Sequence, residues 1–442
     1  MATSTTTDVE PTGTTTQCAA AASLRESAVK TKVAESPKLT YAQRIALTGR
    51  RGIYVTIQLG FDRVAVQELL EALPNVVPED VIHERGIAFV PLDDYESITP
   101  EVIGHFRSIE YAFALICAKN IEGLSEMSKE EALEAIREVA AQSSAEVWNA
   151  AKDAAWRARG VKEENVVAGP QFQVFRKRYG KHQFASTDIG MPIYQGLTEI
   201  LPEWEGVLKD PNVSIMGRVS DNILLLGVKL MDELSWWNKL LPYERQKVLT
   251  PLRPATAHSL AKLSAPQPGD IFVDPMSGCG TIPEVAVRCF PDLFCISGEM
   301  DELSVQKARH NADASPLHGY LDVVQWDARR LPLRNDVIQR MACDLPFGKK
   351  CGTRANNPKL YNDLMHEIDR ILTRDGNAVL LSGDMKNLER NNPPSNTSEV
   401  EQWRVQCGGL DATVKILHKL QTPFIDSEDS PLAETTIGTQ AP

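Results

Sequence analysis

The chain has 442 residues, long enough for two or three domains, with 43% apolar and 24% charged residues and a formal net charge of −12 at pH 7. No apolar run reaches the roughly 18–20 residues of a membrane span, so a soluble globular protein with no membrane partner is expected. The acidic balance argues against coating nucleic acid by bulk charge, yet an acidic chain can carry a local basic face.

Residues 1–35 are rich in Thr, Ala and Ser and poor in large apolar groups. Such a segment cannot bury enough surface to offset its ordering entropy. Residues 1–50 are therefore assigned to a disordered N-terminal segment, with order beginning near Gly52. Ile53–Ile57 predicts a strand, Val64–Leu73 a helix, and Gly86–Val90 a second strand. That β-α-β beginning suits a small ferredoxin-like α+β unit, placed at 51–120. A helical stretch follows at 128–158, with Glu and Lys on one side and Ala, Leu, Ile and Trp on the other. Phe172–Phe175 alternates like a strand and runs into Arg176, Lys177, Arg178, Tyr179, Gly180, Lys181 and His182. Val213–Met216 and Ile223–Val228 complete a second unit at 121–231. A polar, Pro-containing linker is read at 232–254.

From residue 255 the pattern changes to strands alternating with helices. Ile271–Val273, Phe294–Ser297, Asp322–Gln325, Ile338–Cys343 and Ala378–Leu381 are the strands. Ile282–Cys289, Glu302–Asn311 and Tyr361–Leu372 are the helices. Alternation of this kind predicts an α/β doubly wound sheet at 255–425 whose ligand sits at the strand C-terminal ends. Residues 426–442 form an acidic tail.

Three loops of this sheet carry candidate ligand residues. Asp274, Met276, Ser277, Gly278, Gly280 and Thr281 lie in a strand-to-helix turn where small residues let a ligand approach the backbone. Alone, such a turn is also ordinary α/β chemistry. Glu299 ends the next strand about 20 residues on, where doubly wound folds place an acid for ribose hydroxyls. Its other reading is a solvated acid at a helix start. Asp327 and Ala328 follow the third strand, where Asp327 could accept from an adenine amino group or serve as a loop acid. Asp274-Pro275 comes first and the glycines late, unlike a nicotinamide fingerprint. The order Asp-Pro-x-x-Gly-x-Gly-Thr resembles the S-adenosyl-L-methionine loop of class I methyltransferases.

After the fourth strand comes Asp344-Leu345-Pro346-Phe347-Gly348. An exocyclic amine is a weak nucleophile because its lone pair is conjugated with the ring. Asp344 and the carbonyl of Leu345 can accept its two N–H bonds and turn the lone pair toward a methyl donor. Phe347 can stack on the base, and Pro346 stiffens the turn. The segment resembles the Asp/Asn-Pro-Pro-Tyr/Phe motif of amino methyltransferases, with Leu345 in place of the first proline. A base entering such a pocket must leave its stack. Lys349, Lys350 and Arg354 follow, as phosphate contacts or as a solvated loop.

Together Val273–Thr281, Val324–Leu333, Asp344–Lys350, Cys407–Thr413 and the lead-in Leu252-Arg253-Pro254 resemble the THUMP-domain RNA guanosine N2-methyltransferases of eukaryotes. The segment Arg176–His182 with Phe184 resembles the THUMP core of that family, and the resemblance spans about residues 50–422. It implies a ferredoxin-like domain, an RNA-holding THUMP domain and a Rossmann-like methyltransferase domain. It further implies S-adenosyl-L-methionine as cofactor, N2-methylguanosine formation in the acceptor stem of tRNA at position 6 or 7, and a small zinc-binding activator subunit. Arg176, Lys177, Arg178, Lys181 and His182 would then touch RNA; by charge alone they are also a solvated hairpin. A small nuclear RNA substrate and a catalytically silent RNA-binding homologue are the alternatives.

The chain departs from the pattern at Ser277, where Cys is usual, and at Cys279, where Ser or Thr is usual. The usual acid of the next helix falls at Val285, one residue after Glu284. Gln339 and Arg340 make the strand before Asp344 unusually polar. None of the eight cysteines forms a C-x-x-C pair, so no metal site is expected. Reduced thiols, and an N-terminus unlike a secretory or mitochondrial leader, place the expectation in the cytoplasm, with the nucleus as the second compartment.

Overall fold

The computed structural model describes residues 39–84, 86–162, 169–232, 237, 241, 245–315, 318–348, 356–391, 394 and 396–420. The expectations for residues 1–38, for Lys349, Lys350 and Arg354, and for the acidic tail fall outside these. From Tyr41 onward the described residues belong to one unit.

Its first half is built on strands β1 (Arg51–Ile57), β2 (Ile82–Glu84), β3 (Ile87–Leu92), β4 (Ile109–Asn120), β5 (Gln171–Tyr179), β6 (Glu205–Gly206), β7 (Val213–Ser220) and β8 (Ile223–Asp232). They form one sheet in the order β2-β3-β1-β4-β8-β7-β5-β6. The segment β1-helix-β2-β3-helix-β4 has the ferredoxin-like order, antiparallel throughout. β4 then pairs with β8 across nine registered positions, so the two N-terminal units share a continuous sheet. The long helical stretch is two helices, Lys129–Ala141 and Ala145–Arg159, each started by a serine cap, Ser128 and Ser144.

Assigning all of 1–50 to disorder needs correction. Tyr41–Thr48 is a helix with Ala42 and Ile45 fully buried. It covers a second apolar face of the sheet made by Tyr54, Phe89, Phe113, Leu115, Met216 and Leu225. Too short to reveal itself by periodicity, it is held by this face.

The second half is β9 (Ile271–Asp274), β10 (Phe294–Glu299), β11 (Leu321–Gln325), β12 (Ile338–Asp344), β13 (Leu372–Ser382), β14 (Thr397–Cys407) and β15 (Leu410–Lys419). The order is β11-β10-β9-β12-β13-β15-β14, parallel except for β15, which is antiparallel to both its neighbours. The chain leaves β9 toward β10 on one side and returns to β12 on the other. The switch point therefore lies between the C-terminal ends of β9 and β12, where Asp274 and Asp344 stand. The polar start of β12 is matched locally: Gln339 accepts the Ile271 amide at 2.9 Å, and Arg340 pairs with Asp270 at 3.0 Å.

The halves meet along helix Pro254–Leu263, seven of whose residues are buried. His258 Nε2 lies 2.8 Å from Glu68 of helix Asp62–Ala72, both side chains almost wholly buried. Lys262–Glu71 at 2.7 Å and Arg253–Glu110 at 3.0 Å flank that pair. Among the described residues, no helix is long and apolar enough to cross a membrane.

Candidate active site

The turn after β9 is held from within. Gly278 and Gly280 have φ of +57° and +82°, which L side chains rarely adopt. Ser277 donates its amide to the Gly298 carbonyl at 2.8 Å, and its hydroxyl meets the Ser297 hydroxyl at 2.7 Å and the Gly298 carbonyl at 3.0 Å. An oxygen at this position thus serves two partners on β10, which gives the Ser-for-Cys departure a physical reason. The Gly280 amide donates to the Ser277 carbonyl at 2.8 Å. Asp274 is buried and accepts the Met276 amide at 3.1 Å. Burial, with Asp344 and Glu299 nearby, pushes its carboxyl well above the usual carboxylate range.

Glu299 is held by three backbone amides. One oxygen accepts the Gly278 amide at 2.9 Å, fixing the acid against the turn. The other accepts the amides of Met300 and Asp301 at 2.8 and 2.9 Å. Trp326, beside Asp327, lays its indole on Gly298, where an added Cβ would sit 1.9 Å from the ring. Its N–H donates to the Pro275 carbonyl at 3.0 Å, tying the first and third loops together. Ala328 is buried behind it. Asp327 is gripped by Arg329, 2.6 Å away, which holds its carboxyl below the ordinary range.

Thr281 accepts from Arg245 at 2.9 Å, and the same guanidinium pairs with buried Glu284 at 2.7 Å. The Thr281 hydroxyl is thus committed to the protein. The acid one residue before Val285 is a structural anion between Arg245 and Arg288. The stretch 232–254 is consequently more than a linker. Asn311 accepts the Gln246 amide at 2.8 Å and donates to the carbonyls of Gln246 and Cys279, both at 2.9 Å, strapping residues 245–248 to the turn.

On the other side of the switch point the arrangement differs. Asp344 Oδ1 is buried and has no hydrogen-bond partner among the described residues. Burial alone pushes the Asp344 carboxyl up to about 7. Leu345 is buried and its amide donates to the Leu381 carbonyl at 2.8 Å. The Pro346 carbonyl accepts from Asn357 at 3.0 Å and from the Tyr361 hydroxyl at 2.9 Å. Tyr361 also meets the Ser382 hydroxyl at 2.6 Å, and Asn357 donates to Asp384 at 2.9 Å. Phe347 is half-buried against Gly383, where a Cβ would fall 2.2 Å from its ring. Asn357, Tyr361, Ser382, Gly383 and Asp384 were not found by sequence reasoning. Only Gly383-Asp384, directly after an apolar strand, offered a signal.

The basic segment lies on β5, in the first sheet. Arg176, Lys177 and Lys181 are exposed. Arg178 donates to the Gly180 carbonyl at 2.8 Å and contacts His182 at 3.3 Å; His182 in turn lies 2.8 Å from the Asp221 carbonyl. The cluster thus divides into three outward cations and two residues that close the strand end. Among the described residues, no group of three or more His, Cys, Asp and Glu could hold a metal ion.

The second sheet and its loops define a Rossmann-like methyltransferase domain. Residues 243–413 match the family model described as UPF0020, RMKL-like, methyltransferase domain. The chain is 30% identical over 283 residues to the human tRNA (guanine(6)-N(2))-methyltransferase THUMP3, a match covering 60% of this chain and 54% of that protein. It is 28% identical over 182 residues to the Mus musculus U6 snRNA (guanine-N(2))-methyltransferase THUMPD2, covering 40% and 32%. The solved structure of TrmN from Thermus thermophilus superposes with a TM-score of 0.63 at 23% identity, covering 84% of this chain and all of that one. The resemblance read from Asp344–Lys350 and its companion motifs thus stands as similarity to THUMP-domain guanine-N2 methyltransferases. The chain spans about half the length of the human relative, 54%.

Proposed function

We propose that this chain is an S-adenosyl-L-methionine-dependent tRNA methyltransferase that modifies the exocyclic N2 of a guanosine in the acceptor stem, at position 6 or 7, giving N2-methylguanosine. The observation that carries the reading is the buried Asp344 Oδ1 at the switch point, without a partner among the described residues, in a turn that runs on to Phe347. A buried acceptor without a partner costs about 1–3 kcal/mol, a cost that an incoming N–H donor would relieve. The names of the relatives support guanine N2 and tRNA. The activator subunit and a cytoplasmic location belong to the same proposal.

The residues beside β9 and β10 fit the cofactor. Gly278 has open space beside it, with Val248 alone among the described residues within 4 Å of an added Cβ, and Glu299, held against the turn, would accept from ribose hydroxyls. When bound, S-adenosyl-L-methionine supplies an electrophilic methyl group on a sulfonium. Asp274, Met276, Ser277, Gly278, Gly280 and Glu299 would hold it, with Asp327 and Ala328 on the adenine side. The protein's own part is orientation. Asp344 accepts one N–H of the target amine and the Leu345 carbonyl the other, so that the lone pair faces the methyl group. Phe347 holds the base by stacking, worth about 1–3 kcal/mol. Asn357 and Tyr361 pin the Pro346 peptide and keep both acceptors in register.

Incubation with labelled S-adenosyl-L-methionine and tRNA lacking the mark, with and without the activator, tests the proposal. Nucleoside mass spectrometry should find label at guanosine N2. Absence of label under both conditions sinks it, and label on a small nuclear RNA alone moves the substrate to the other RNA class.

A further inference from the structure

A turn beside the acceptor pocket is held in place by the first domain as well as by its own sheet. Strand alternation places Asp344 on the same sheet face as Leu381, Val414, Ala412, Val405 and Cys407, because registered partners point the same way. Phe347 and Cys407 both pack against the core layer on that face. β15 is antiparallel to β13, so the Cys407–Leu410 turn lies at the sheet edge that carries Asp344 and Gly383.

That turn is fastened by the loop after β1, in the first domain. Gln58 Nε2 donates to the Gln406 carbonyl at 2.5 Å and lies 3.1 Å from Cys407 Sγ. Gln58 Oε1 accepts from the Thr256 hydroxyl, on the helix between the halves. The Gln406 amide donates to the Leu59 carbonyl at 2.9 Å, and Trp403 donates to the Gly60 carbonyl at 2.8 Å. Gly60 has φ +93°, and an added Cβ would meet the Arg404 carbonyl at 2.6 Å. Asp62 braces the loop, accepting the amides of Gly60 at 3.1 Å and Gly86 at 2.6 Å. Arg63 stands 3.7 Å over the Trp403 ring and pairs with Glu401.

We propose that Gln58 is a positioning residue for methyl transfer: by joining the Gln406–Cys407 backbone to Thr256, it sets the turn that closes the acceptor pocket, so the first domain completes a site whose chemistry lies in the second. This rests on the proposed function. These contacts from the first domain add to the hairpin pairing of a turn whose Gly408 and Gly409 are exposed.

The test is Gln58→Ala in the full chain. Single-turnover transfer to tRNA should fall about tenfold, as a misplaced pocket wall would cause. The cofactor dissociation constant should stay within about twofold. Deuterium uptake by amides 404–411 should rise. Unchanged transfer in an active protein, or unchanged uptake, overturns the proposal, as does an equal loss of cofactor binding. Where Gln58→Ala fails to fold, Thr256→Val removes one donor from the same junction and should shift the same readouts in the same direction. If the wild-type protein transfers no methyl group, the proposed function falls and this positioning role with it, whereas unchanged transfer by Gln58→Ala in an active wild type overturns the positioning role alone.

Discussion

The two turns at the switch point differ in how completely the protein satisfies them. In the turn after β9, Asp274, Ser277, Gly278, Gly280 and Thr281 all find partners within the protein. In the turn after β12, the backbone is equally well pinned, yet Asp344 Oδ1 is buried with no donor among the described residues. One turn is satisfied from within. The other, among the described residues, keeps a buried acceptor without a donor, which is what the proposed function assigns to the target amine.

Replacing the unmet acceptor should have the largest effect. Asp344→Ala should lower kcat about a thousandfold, the scale seen when one preorganised partner is removed. Calorimetry should find cofactor affinity nearly unchanged; if binding is lost as well, Asp344 belongs to the scaffold and the contrast between the turns disappears.

Acidity should act on the same group. The Asp344 carboxyl is pushed up to about 7 in the folded chain, against about 3.9 unfolded. Only the ionised form offers two acceptor oxygens free of a proton, so kcat/KM should fall about tenfold per pH unit below 7. The stability sign is the reverse. The folded value lies above the unfolded one, so ionisation destabilises the fold, fully above 7 and not at all well below about 4. Asp344→Asn should therefore raise Tm at pH 8 and leave it unchanged near pH 3; an equal shift at both would remove the electrostatic explanation.

A smaller effect is expected from crowding the stacking residue. In Gly383→Ala the new methyl would overlap the Phe347 ring, at a cost of about 1–3 kcal/mol. KM for RNA should rise roughly tenfold through displaced stacking, and a variant with normal KM would mean the ring does not touch the base. The smallest change belongs to the finished turn. Ser277→Ala loses contacts to Ser297 and Gly298, about 1 kcal/mol, which should weaken cofactor binding roughly fivefold. Its kcat at saturating cofactor should hold, and a drop there would show that the scaffold turn also shapes the transition state.

Much of this was legible from local pattern. Strands ending in Asp274, Glu299 and Asp344 announce themselves by apolar runs followed by a turn and a helix, and their ligand edge follows from the parallel order. Within the first of these turns, the candidates from Asp274 to Thr281 lie in one contiguous stretch, which makes that turn readable as a single motif. The supporting set is not: Tyr361 reaches Pro346 and Ser382 across two loops, and Arg245 reaches Thr281 from a stretch with no regular pattern. The hairpin of β14 and β15 escaped notice because β14 is an edge strand with two buried residues, Thr397 and Val405, and without clean alternation. Helix Tyr41–Thr48 escaped because its stability resides in the sheet it covers. For Arg178 and His182 the sequence displays charge but not orientation, and the structure adds that both are held at the strand end.

The shared strand β4 has a practical consequence. It pairs with β1 on one side and β8 on the other. A cut that separated the ferredoxin-like unit from the unit carrying the basic strand would therefore leave a raw ladder of unpaired amides and carbonyls on at least one fragment. Such an edge is a template for sticking to other chains. Any fragment intended to carry RNA recognition without the catalytic half must therefore keep residues 41–232 intact, because the sheet has no seam there.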